Sequence, residues 1–167
     1  MRINKILFHI LIIFILGIFQ LVVLRNFSFL SSLNLILCFI IFFVLFDYRL
    51  SFFWSLFGGF ILSFYSFYPF GTYIVLFLFV SYFAHYLFKK FFPRYSLVSL
   101  TIFSFLSLLI YQLSFTFLSF LFYKLGIIQL PVVLNKIFFT SLLNTLILNT
   151  AVIVIITFLF TLLEKRK

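Results

Sequence analysis

The chain is 167 residues long, 66% hydrophobic and only 8% charged. Soluble domains carry about 25% charged residues, so these side chains cannot cover a water-facing surface, and the sequence reads as one integral membrane domain. Six helical spans at roughly 20 residues each leave no room for a soluble domain, a nucleotide-binding fold or a large lid.

The first predicted span is 6–24, after Arg2 and Lys5. Its polar residues, His9 and Gln20, sit near its ends. No small-residue cleavage site comes after it and Arg25 closes it, so it is expected to be a retained helix rather than a signal peptide. The second span is 30–46, and Asp47-Tyr48-Arg49-Leu50 forms a tight turn into the third, 51–67. Pro69-Phe70-Gly71 breaks the chain before the fourth span, 72–88. Lys89-Lys90-Phe91-Phe92-Pro93-Arg94 is the clearest loop. The fifth span is 97–121. Lys124 to Lys136, with Gly126 and Pro131, is mildly apolar and suits the membrane surface. The sixth span is 137–163, and Glu164-Lys165-Arg166-Lys167 comes after it. If spans two and three form a re-entrant pair, the number of crossings falls to four or five.

The basic residues predict the orientation. With the N-terminus inside, nine of them are internal: Arg2, Lys5, Arg49, Lys89, Lys90, Arg94, Lys165, Arg166 and Lys167. Three are external: Arg25, Lys124 and Lys136. That bias favours an even number of spans with both ends cytoplasmic. The formal net charge of +10 is thus assigned to anionic lipid at the span ends and not to nucleic acid. The phenylalanines read as lipid-facing bulk, and most tyrosines fall near interfaces.

Asp47 and Glu164 are the only acids, whereas acid–base and two-metal chemistry usually need paired carboxylates. Cys38 is the sole cysteine, which excludes an intrachain disulfide and a cysteine metal site. No Ser-His-Asp set, metal-ligand cluster or phosphate loop is present. The chain is therefore expected to be no enzyme, with no catalytic residue, cofactor or metal. His9 and His85 are expected at an interface.

Two helix faces carry the informative spacing. Ser55, Gly59 and Ser63 recur every fourth residue, Gly58 widens their groove, and Ser51 lies one turn before. Such a small-residue face admits a neighbouring backbone, either as ordinary packing or as a partner contact; Gly71 belongs with it as the turn glycine. In span six, Ser141, Asn144, Thr145 and Asn149 are expected to face the bundle interior. Buried amides must find partners in hydrocarbon, either on another helix or in a ligand. Gln112 adds modest polarity to span five.

The stretch from Leu33-Asn34-Leu35 through Lys90 resembles the rod shape-determining protein MreD family. Asn34 stands at the opening of the apolar run, Asp47 and Arg49 in the tight turn, Gly59 at the second glycine of the spaced helix, and Pro69-Phe70-Gly71 at the next turn. The basic loop from Lys89 to Arg94 also fits. Ser55 stands where the first glycine is usual and Ser63 where an aspartate is usual. The resemblance implies an all-α, six-helix membrane bundle similar in fold to the S components of energy-coupling factor transporters. It implies a nonenzymatic scaffold of the bacterial inner membrane. Such a scaffold acts with an MreC-like protein and other elongation-complex membrane proteins in rod shape and lateral peptidoglycan synthesis. The alternative is a substrate-binding S component itself, with a pocket closed by outer loops and reached by Asn144 and Asn149.

Overall fold

A computed structural model describes residues 3–27, 30–92, 96–129 and 135–164. Lys165, Arg166 and Lys167, the Pro93-Arg94-Tyr95 part of the basic loop, Pro131 and Arg2 lie outside the described residues. Six α-helices make an all-α polytopic membrane fold: α1 Ile3–Ile18, α2 Leu35–Phe46, α3 Tyr48–Phe64, α4 Thr72–Phe91, α5 Leu97–Lys124 and α6 Lys136–Glu164. The α1 stretch Ile6–Val23 and helices α4, α5 and α6 are each long and apolar enough to cross a membrane.

Local chemistry sets the helix ends. Asn34 caps α2, its side chain accepting from the Leu37 N–H at 3.1 Å. Asp47 ends α2 in an extended conformation and immediately caps α3, accepting from the Arg49 N–H at 2.9 Å. A single residue thus turns the chain, and the acid of the tight turn serves as a helix cap. Gly71 adopts φ 90°, a left-handed conformation that glycine takes without a Cβ penalty, and the Thr72 hydroxyl donates to the Pro69 carbonyl at 2.6 Å. Ser96 caps α5 through the Ser99 N–H at 3.0 Å. Asn135 caps α6 through the Phe138 N–H at 2.9 Å.

The short α2 is the axis of the bundle. It touches α1, α3, α4 and α6. Eight of its twelve residues are buried, and the four half-buried ones, Leu35, Phe39, Phe43 and Phe46, share one face. At about 1.5 Å per residue it is about 18 Å long, against a hydrocarbon core of about 30 Å. It is therefore too short to cross that core as an α-helix alone, and its α geometry opens only at Leu35. This differs from the predicted start at residue 30, because Leu30–Ser32 forms a separate 3₁₀ turn and the Asn34 cap opens the α-helix only at Leu35. The α3 helix likewise starts at Tyr48, directly after its cap, and stops at Phe64. The first helix does not end in regular α geometry. Phe19–Val23 forms a π turn and Leu24–Asn26 a 3₁₀ turn.

Around the C-terminal half of α2 the packing is aromatic. Trp54 is buried, stacks on Phe39 at 5.3 Å between centroids, and lies 5.0 Å from the Phe43 ring. His9 meets Trp54 edge-on at 6.3 Å. Phe160 of α6 packs on Phe42 and Phe46 at 5.4 and 4.7 Å. The Ser51 hydroxyl donates to the Ile40 carbonyl at 3.0 Å and lies 2.7 Å from the Ser81 hydroxyl, tying α2, α3 and α4 together.

Candidate functional site

The N-terminus of α2 is a buried polar centre in an apolar bundle. A helix start exposes backbone N–H groups that have no intrahelical acceptor. Hydrocarbon supplies none either, so neighbouring side chains must. Here three helices contribute. The Asn34 N–H donates to the Asn149 side-chain oxygen at 2.8 Å, the Ile36 N–H to the Gln20 side-chain oxygen at 3.3 Å, and the Leu37 N–H to Asn34 itself. Asn149 is fully buried. Its NH2 group donates to the Ser32 carbonyl at 3.1 Å and the Thr145 carbonyl at 2.7 Å. The Cys38 thiol donates to the same Asn149 oxygen at 3.2 Å. One side chain on α6 thus fixes the link before α2 and the first turn of α2. Gln20 reaches this point from the π turn of the first helix.

The four span-six residues differ in burial: Ser141, Thr145 and Asn149 share one face, along which burial rises from the start of α6 inward, and Asn144 lies off it. Asn149 is buried and Thr145 half-buried, whereas Ser141 and Asn144 are exposed. Residues four apart share a helix face, but five residues rotate by about 140°. Asn144 therefore points away from the centre that Asn149 occupies.

A cavity of about 220 Å³ opens beside this centre, and a second of about 80 Å³ adjoins it. They share Gln20, Asn34, Tyr73 and Tyr111, while Gln112 and Thr145 line the larger one. No charged side chain lines either cavity among the described residues. Tyr111 is buried, unlike the interfacial placement expected of most tyrosines. The sequence signal for this cluster is weak: single polar residues on separate helices, with no shared motif.

The small-residue face of α3 is buried at Ser51, Ser55, Gly58, Gly59 and Ser63. The Ser55 hydroxyl donates back to the Ser51 carbonyl at 2.8 Å. A Cβ at Gly58 would meet the Ile36 side chain of α2. A Cβ at Gly59 would lie 2.6 Å from the Ile74 Cα and 2.8 Å from its nitrogen. Gly59 thus lets the α4 backbone approach directly. The Ser63 hydroxyl is buried and has no hydrogen-bond partner among the described residues. Gly71 sits in the turn, with open space where its Cβ would be.

Between α1 and α3 lies an outward apolar groove of about 820 Å³, with Leu7, Phe14, Phe57, Phe60 and Phe64 on its walls. At the opposite end of the bundle from the polar centre, His85 stacks on Tyr48 at 4.1 Å. Among the described residues no three His, Cys, Asp or Glu side chains come together as a metal site would need. No family model, curated protein or solved structure matches the chain.

Proposed function

We propose that the chain is a nonenzymatic membrane scaffold of a bacterial cell-elongation complex. In this reading it sits in the inner membrane with both termini cytoplasmic and supports rod shape and lateral peptidoglycan synthesis through helix–helix contacts. One observation carries the reading. Four of the positions that resemble the MreD family have a structural task in one continuous unit: Asn34 caps α2, Asp47 caps α3, Gly59 admits the α4 backbone, and Gly71 makes the turn between α3 and α4. The basic residues near the Arg49 turn and the α4 C-terminus lie at the end assigned to the cytoplasm, where anionic lipid adds attraction. The expected partners are an MreC-like protein and other elongation-complex membrane proteins. The six-helix arrangement is read as that of the transporter S components, with the partner surface on the outside of the bundle.

The test is recovery of partners. The full chain, tagged at its C-terminus and extracted in mild detergent, should bring down an MreC-like protein and peptidoglycan-synthesis proteins. Recovery of a paired ATPase module instead overturns the scaffold reading in favour of a transporter S component.

A further inference from the structure

We propose that the paired cavities at the α2 N-terminus bind a small, uncharged, planar solute with an amide or imide edge. The inference goes beyond the elongation-complex reading and needs no partner protein. Its first support is convergence. Side chains from the first helix, the link before α2, α4, α5 and α6 meet at one cavity, although the rest of the bundle interior is largely apolar. Its second is spare hydrogen-bonding capacity. The Gln20 side-chain oxygen is used by the Ile36 N–H, but its NH2 group makes no hydrogen bond among the described residues. The Gln112 side chain is half-buried on the cavity wall and its amide makes none among the described residues. Both amides are open to the cavity, and a ligand that offers both an acceptor and a donor can pair with the two glutamines.

Shape and charge narrow the ligand. The Tyr111 and Phe115 rings lie nearly parallel, 6.1 Å apart, and Tyr73 is 6.0 Å from Phe115, so three packed aromatic side chains line one wall. Aromatic walls with a few convergent polar groups suit a planar ring. The larger cavity, about 220 Å³, is below the usual range of about 300–1,000 Å³ for drug-sized ligands. Burying an ion without a counter-charge is strongly unfavourable, and no charged side chain lines the site among the described residues. A neutral ligand is therefore selected over its ionised analogue.

The probes are benzamide and uracil, with benzoate as the charged match of benzamide, in equilibrium dialysis against the purified full chain in detergent micelles. Saturable binding of benzamide or uracil is expected, with benzoate at least tenfold weaker. Gln112→Leu removes no protein hydrogen bond, so its thermal midpoint should stay near wild type while its affinity falls at least tenfold. Gln112→Ala provides a second variant if the leucine perturbs folding. Absence of saturable binding by both neutral probes overturns the assignment. So does benzoate binding as tightly as benzamide, or undiminished binding by a folded Gln112 variant.

Discussion

Asn149→Leu should destabilise the protein by about 2–4 kcal/mol. An interhelical hydrogen bond in a membrane is commonly worth only about 0.6 kcal/mol, because the separated helices find other partners. Asn149 is a different case, since its single amide holds the Asn34 N–H, the Ser32 and Thr145 carbonyls and the Cys38 thiol. Leucine leaves the half-buried Asn34 N–H without this acceptor, at a cost of about 1–3 kcal/mol, and also removes the contacts to the Ser32 and Thr145 carbonyls and the Cys38 thiol. The contrast is Asn144→Leu. Asn144 is exposed on the other side of α6, and its replacement should change stability by no more than about 0.5 kcal/mol. Reversible unfolding in mixed detergent–SDS micelles measures both. Equal, small effects at the two positions would show that α2 does not depend on Asn149.

The second large effect is at Gly59. A side chain there meets backbone, with the Ile74 Cα at 2.6 Å and the Tyr73 carbonyl carbon at 3.0 Å. Backbone atoms cannot rotate aside, so α3 and α4 must separate. Overpacking of this kind costs about 1–3 kcal/mol and occasionally more. Gly59→Ala should fall within that range, and Gly59→Leu should reach or exceed its upper end and reduce recovery of the proposed complex. Gly58→Ala should cost less than Gly59→Ala, because its nearest obstacle is a side-chain methyl of Ile36 and not a helix backbone. The same micelle unfolding assay ranks the three variants. A Gly59→Ala protein as stable as wild type, or a Gly59→Leu protein that assembles normally, would contradict the close α3–α4 approach.

The sequence signals that proved readable were those in which one short segment contains the whole cause. Long apolar runs announce α4, α5 and α6. The turns at Asp47 and Pro69–Gly71 are marked by residues whose local hydrogen bonds or backbone freedom make the turn. Gly59 belongs to a repeat on one helix face. The start of α2 was not readable in this way, because it depends on Gln20 and Asn149, far apart in sequence from Asn34 and from each other. Nor does amphipathicity help: a side chain facing lipid and one facing the core are both apolar, so periodicity does not separate the two faces. This is why Asn144 and Asn149 look equivalent in the sequence and part company in the fold. The cavity was hidden for the same reason, since Tyr73, Tyr111 and Gln112 become a cluster only when α4 and α5 pack beside the start of α2.

Both the scaffold reading and the cavity depend on the α2–α3 hairpin crossing the membrane, although α2 has only 12 residues and α3 only 17. Single-cysteine variants Arg49→Cys, in the first turn of α3, and Phe67→Cys, at a fully exposed residue of the link after α3, test this directly when Cys38 is replaced by alanine. An impermeant thiol reagent applied to intact cells should label Phe67→Cys and leave Arg49→Cys unlabelled until the cytoplasmic side is opened. Labelling of both from the outside would make the hairpin re-entrant and contradict the six-crossing bundle.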